Sequence, residues 1–121
     1  MSLLTLLFAG ATPPPPPPVL SAAASPTMLQ VIGPLFTLTT GFTTVTPSNG
    51  VGPYSYAWSI INGGSGVVTA LNPTSATSAF RDAGMSPRDT NTSTATCTVT
   101  DSTHATASVD VAVTFNNTSS S

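Results

Sequence analysis

Residues 92–115 read TSTATCTVTDSTHATASVDVAVTF, the longest uninterrupted pattern in the chain. Up to Thr100, Ala95, Cys97 and Val99 share one parity while Thr94, Thr96, Thr98 and Thr100 share the other. After the turn-forming cluster Asp101-Ser102-Thr103, Ala105, Ala107, Val109, Val111, Val113 and Phe115 alternate with Thr106, Ser108, Asp110, Ala112 and Thr114. Successive side chains of a strand point to opposite faces, so the spacing predicts an antiparallel hairpin with one buried and one solvated face. Cys97, Val99, Val109, Val111 and Val113 are then core residues.

Working outward, Tyr54–Ile61 places Tyr54, Tyr56, Trp58 and Ile60 on one face and Ser55, Ala57 and Ser59 on the other, a second alternating strand. Met28–Ile32 is a shorter strand ended by Gly33-Pro34. Leu35–Val45 alternates in part, with Phe36 and Leu38 on one face and Gly41 placed for a bulge. Pro47-Ser48-Asn49-Gly50 carries turn chemistry. Gly63–Gly66 turns the chain into Val67–Leu71, which Asn72-Pro73 ends. Ala76–Phe80 is a weaker strand pattern, and Arg81–Asn91 reads as a polar connection. Six or seven short strands, with turn signals about every 8–12 residues, predict a β-sandwich.

Composition agrees. Charged residues make up only 5% of the 121, with no Lys and no Glu, and about a third of the chain is Ser or Thr. A helix covers its wet face with Glu, Lys, Arg and Gln, whereas Thr and Val suit a pleated, half-buried surface. Arg81 and Arg88 are the only basic side chains, and the net charge is −2. That balance gives neither the basic footprint that binds nucleic acid nor the Lys/Arg cluster that binds anionic lipid.

The N-terminal 27 residues differ in kind. Leu3, Leu4, Leu6, Leu7 and Phe8 form a short apolar run, and Pro13, Pro14, Pro15, Pro16, Pro17 and Pro18 follow. Six consecutive prolines favour a stiff polyproline II rod of roughly 20 Å. The apolar run is far shorter than the roughly 20 residues that span a bilayer. It lacks a basic n-region, and Ala22-Ala23-Ala24 is only a loose cleavage site, so the segment reads as a docking arm rather than a secretory signal. The expected organisation is an arm over 1–26, a sandwich over 27–115 and a polar tail over 116–121.

Gly52-Pro53-Tyr54-Ser55-Tyr56-Ala57-Trp58, together with Thr96-Cys97-Thr98-Val99-Thr100-Asp101-Ser102 and the alternating Val strand after it, resembles the immunoglobulin-like superfamily, and within it PKD-type and bacterial Ig-like modules. The resemblance covers about residues 27–115 and implies an antiparallel sandwich of about seven strands with Trp58 as the core Trp of the third strand. Cys97 is the only Cys, so the inter-sheet disulfide of antibody-type domains cannot form within the chain. Ala95 stands where a tyrosine corner has Tyr, and both departures favour the bacterial and phage type. The layout of apolar start, proline run and small Thr-rich domain also resembles small structural proteins of tailed bacteriophages. Such a resemblance implies a non-enzymatic capsid-decoration or tail-associated subunit of the virion, anchored by its arm to a major capsid or tail protein or to copies of itself. The alternative is a secreted or cell-surface adhesion or carbohydrate-binding module.

No catalytic constellation stands against that reading, and no cofactor is expected. A nucleophile–base pair of Cys97 and His104 needs the two side chains adjacent, yet Cys97 falls on the buried parity. Asp82, Asp89 and Asn91 offer oxygens to calcium, but calcium takes six or more ligands, and ordinary Asx-type hydrogen bonding is the simpler expectation. Tyr54, Tyr56 and Trp58 could form a sugar-binding stripe. Their alternation with Ser55 and Ala57 argues for core instead.

Overall fold

The structure, a computed structural model, describes Pro13 and residues 18–120. These residues are all β, with no helix among them. In chain order the strands are β1 (Ser21–Ser25), β2 (Met28–Gly33), β3 (Thr37–Thr39), β4 (Thr43–Ser48), β5 (Ser55–Ile61), β6 (Val67–Ala70), β7 (Thr77–Ser78), β8 (Phe80–Ala83), β9 (Thr90–Thr100) and β10 (Thr106–Asn117).

They form three sheets, ordered β2-β10-β9-β5, β1-β4-β7 and β3-β8-β6. The two smaller sheets continue one another. The β3–β8 register runs from Thr37 opposite Ala83 to Thr39 opposite Arg81, passes through the bond from Thr40 N to Phe80 O (2.8 Å), and resumes in β4–β7 with Thr43 opposite Ser78. Between those points Gly41 and Phe42 stand against Ala79 alone, the two-against-one count of a bulge. The bulge expected at Gly41 is therefore present. The layer reads β1, β4 with β3, β7 with β8, then β6.

The apolar parities meet between this layer and the four-stranded sheet. Leu29, Val111, Val113, Phe115, Ala95, Cys97, Val99 and Trp58 from one side pack on Leu38, Val45, Val68 and Phe80 from the other. Trp58 lies edge-on to Phe80, with ring centroids 5.2 Å apart. Cys97, Val99, Val111 and Val113 are fully buried, whereas Tyr56, Ile60 and Val109 are half-buried and pack against the same core. The hairpin of β9 and β10 is paired along its whole length, from Thr100 opposite Thr106 to Thr90 opposite Asn116.

Four expectations change. Ser21–Ser25, read with the arm, is a strand whose Ala22 and Ala24 pack on the core and which pairs antiparallel with β4. Phe80–Ala83 extends a strand into the segment read as a polar connection: Phe80 and Asp82 point inward and Arg81 outward, so one buried carboxylate disguised the alternation. Phe36 does not share the buried face of Leu38 but stands exposed just ahead of β3. The hairpin strands also run beyond their expected ends, to Thr90 and Asn117.

Candidate functional site

The arm joins the sandwich at a braced pole. Leu20, the residue before β1, is buried under Gly50, while Pro18 and Val19 just ahead of it stand exposed. Asn49 and Gly50 both take left-handed φ, 63° and 69°, closing the tight turn after β4. The Asn49 amide donates to Val19 O (3.3 Å), and Tyr54 Oη donates to Asn49 O (2.7 Å). The arm root is thereby tied to the turn, and the turn to the start of β5.

Asp101 fastens this pole. Its Oδ1 accepts from Thr103 N (2.9 Å), Thr103 Oγ1 (2.7 Å) and Ala105 N (3.0 Å), an Asx turn that closes the β9–β10 hairpin. Its Oδ2 accepts from Val51 N (3.1 Å), and Val51 O in turn accepts from Ser102 N and Ser102 Oγ. The Thr103 hydroxyl is the leading influence holding the Asp101 carboxyl below the ordinary carboxylate value, with the backbone N–H groups of Val51, Thr103 and Ala105 acting the same way. The turn role expected of Asp101 holds, and its reach across to Val51 adds a second one.

The opposite pole carries a polar cluster. Asn91 Nδ2 sits among three oxygens: Asn62 Oδ1 (2.6 Å), Ser65 O (2.9 Å) and Asp82 Oδ2 (2.9 Å). Asn91 Oδ1 accepts from Ser93 Oγ (2.5 Å) and Gly63 N (3.3 Å). Asp89 accepts from Ser65 N (3.2 Å) and from Ser65 Oγ, and these bonds, the hydroxyl first, hold its carboxyl below the ordinary value. Asp82, Asp89 and Asn91 do come together, but they cross-link distant loops rather than form local Asx turns. The amide nitrogen of Asn91 fills the point between the oxygens where a cation would have to sit. No group of three acidic, His or Cys side chains suited to a metal converges among the described residues.

Asp82 is the exception within the cluster. It is fully buried, and its Oδ1 has no hydrogen-bond partner. Burial pushes its carboxyl above the ordinary value, the Asn91 hydrogen bond opposes the rise, the charge of Asp89 adds to it, and the Val67 backbone N–H weakly opposes it.

Cys97 and His104 are not brought together. The thiol lies fully buried in the core, where burial raises its pKa, while His104 stands exposed on the hairpin turn with φ of 71°. Trp58 is buried, and its Nε1 donates to Ser75 O (2.8 Å), so the aromatic stripe contributes to the core. Of the arm residues, Pro13 and Pro18 are exposed; Leu3, Leu4, Leu6, Leu7, Phe8 and Pro14, Pro15, Pro16 and Pro17 lie outside the described residues. The braced root had no sequence signal beyond the Asn49-Gly50 turn, because Leu20, Val51 and Asp101 meet only in three dimensions.

No family model matches the chain, and no curated protein or solved structure is significantly similar to it.

Proposed function

We propose that the chain is a non-enzymatic structural subunit with an immunoglobulin-like, PKD-type sandwich, carried on a virion as a bacteriophage capsid-decoration or tail-associated protein and anchored by its N-terminal arm. The strand order supports the Ig-like reading. One layer runs β1, β4, β7/β8, β6 and the other β2, β10, β9, β5, with the N-terminal strands split between the two layers. β1 pairs antiparallel with β4, and β2 pairs parallel with β10.

The braced arm root is the observation that carries the anchoring role. A chain that only trailed from the domain would not need Leu20 buried and its neighbour's carbonyl held by Asn49. The arm leaves at the Asp101 pole, while β10 runs on for 12 residues to the opposite pole. That strand spans roughly 40 Å, so an anchored domain would hold its far loops well clear of the attachment point. The surface fits a subunit that lives among neighbours. Asp82 and Asp101 are buried and Asp89 is tied to Ser65, leaving Arg81, Arg88 and Asp110 as the exposed charges on faces of Thr and Ser.

Assembling particles with a chain lacking residues 1–18 tests the reading. Incorporation should be lost while the domain keeps its melting transition, and unchanged occupancy would sink the proposal. The secreted-module alternative requires processing near Ala24. Ala24 sits within β1 opposite Val45, so cleavage there would remove most of that strand from its sheet. Mass spectrometry of the native chain separates the two: an intact N-terminus supports the arm, and a start at residue 25 supports secretion.

A further inference from the structure

The chain holds two Asn-Gly pairs, Asn49-Gly50 beside the arm root and Asn62-Gly63 at the far pole. In such a pair the backbone nitrogen of Gly can attack the side-chain carbonyl carbon of Asn, because a residue without Cβ leaves the approach unhindered. The N–Cγ bond forms, the Cγ–Nδ2 bond breaks, and the leaving nitrogen takes up the Gly proton to depart as ammonia. Water then opens the cyclic imide at one carbonyl or the other, giving aspartate or isoaspartate. Water is the only co-reactant. Two local conditions govern the first step: the Gly N–H must be unbonded, and the Asn amide must be free to swing onto it.

The two pairs are both exposed, yet the fold treats them oppositely. Gly50 N makes no hydrogen bond to another described residue. The Asn49 amide is held only by its donation to Val19 O at 3.3 Å, beyond the usual range for such a bond. Gly63 N, by contrast, donates to Ser93 Oγ (3.0 Å) and Asn91 Oδ1 (3.3 Å). The Asn62 amide is pinned at both ends: Nδ2 donates to Gly66 O (2.9 Å), and Oδ1 accepts from Asn91 Nδ2 (2.6 Å) and Gly64 N (3.2 Å). A Cβ on Gly63 would lie 1.7 Å from Thr92 O, so this loop is also pressed against β9.

We infer that Asn49 is a site of spontaneous, one-way modification whose conversion frees the root of the arm, while the far pole protects Asn62. Both products undo the brace. Aspartate puts an oxygen where Nδ2 now donates, so that an acceptor faces the carbonyl of Val19. It also adds a charge to a turn whose Gly50 already sits against Asp101, with Oδ2 2.8 Å from where a Cβ would stand. Isoaspartate does more. The main chain then runs through Cγ, lengthening a turn closed by two left-handed residues. Asn49 O, the acceptor for Tyr54 Oη, passes into a free carboxylate off the main chain. Leu20, packed under Gly50, loses its cover. A fresh copy holds its arm firmly and an aged copy holds it loosely, whatever the arm binds.

Ageing the full-length folded protein at mildly alkaline pH tests this. Chymotryptic peptides separate the two pairs, because Tyr54, Tyr56 and Trp58 lie between them. Mass spectrometry reads the exchange of NH2 for OH, and enzymatic methylation of isoaspartate identifies that product. Asn49 should convert at least about tenfold faster than Asn62, the factor that the two hydrogen bonds on Gly63 N represent. In urea the two rates should converge, since unfolding removes those bonds. Hydrogen exchange across Ser21–Ser25 should quicken in step with conversion of Asn49. Asn49→Gly accepts a φ of 63° without strain and has no amide to lose, so its exchange should not drift on ageing. Equal rates in the folded protein, or a preference for Asn49 that persists in urea, would overturn the inference. So would exchange in β1 that stays unchanged as Asn49 converts, or that quickens equally in aged Asn49→Gly.

Discussion

Two aspartates, one near each pole, are both shielded from solvent and yet sit in opposite circumstances. Asp101 is 5% exposed and receives four hydrogen bonds, shared between both oxygens. Asp82 is 0% exposed and receives one full hydrogen bond, from Asn91, with a weaker influence from the Val67 backbone N–H, while its Oδ1 has no partner in hydrogen-bond geometry. Burial alone therefore says little about what a carboxylate does for the fold. The number of N–H and O–H groups aimed at it decides whether its charge is held or merely tolerated. The difference follows position: the arm pole is fastened around a satisfied charge, and the far pole encloses an incompletely satisfied one.

The harshest way to break the comparison is to crowd the unsatisfied carboxyl. A Cβ on Gly66 would come within 2.0 Å of Asp82 Oδ1 and 2.9 Å of Ala83 O, at a φ of +85° that disfavours any side chain. Gly66→Ala should cost about 3 kcal/mol in chemical denaturation, combining a left-handed alanine with displacement of a buried group. Gly84→Ala is the control, since its φ is +80° but nothing lies within 4 Å of the added methyl. It should cost only about 1 kcal/mol. Equal losses would mean that backbone conformation, rather than Asp82, sets the penalty.

Asp101→Asn probes the satisfied pole. The amide keeps one acceptor but turns an NH2 group toward Val51 N or toward the Thr103 and Ala105 donors, so two donors oppose each other. The melting temperature should fall by several degrees, and amide exchange at Val51, Thr103 and Ala105 should speed up. Asp82→Asn should behave differently. It removes a charge that burial disfavours, and its new NH2 can occupy the Oδ1 position while the remaining oxygen still accepts from Asn91. Its melting temperature at neutral pH should match or exceed wild type. A loss as large as that of Asp101→Asn would erase the distinction between the poles.

The hairpin of β9 and β10 and the strand β5 were legible because strict alternation leaves one reading of which face is buried. β1 was not, because Ser-Ala-Ala-Ala-Ser has no large side chain to mark a face and adjoins a proline run. The β7–β8 run was hidden by Asp82, an inward-pointing charge in the middle of its alternation. Its partner Asn91 lies nine residues away, across a turn, where spacing carries no signal. The turn role of Asp101 could be read from its neighbours Ser102 and Thr103. Its bond to Val51, fifty residues distant, could not. Local pairings leave periodic traces in a sequence, whereas a brace made between loops leaves only its residue types.

The smallest effect, and the most discriminating, is the pH dependence of stability. The folded-state pKa of Asp101 lies below its ordinary value of 3.8, and so does that of Asp89, so the unfolded chain takes up those protons first as pH falls. Their contribution is complete above about pH 4–5 and is lost as pH falls through the lowered folded values. Asp82 has the opposite sign. Its folded pKa is raised above 3.8, so the folded chain holds the proton more tightly, and stability declines as pH rises from the ordinary value through the raised one. Urea midpoints measured between about pH 2 and about pH 7 should therefore climb on the acid side and then flatten or dip, instead of rising throughout. Asp82→Asn should abolish the dip and leave the acid-side climb intact. Asp101→Asn should weaken the climb and leave the dip. If one substitution altered both limbs, the two carboxylates would be coupled along the length of the sandwich, and their separate accounts would have to be merged.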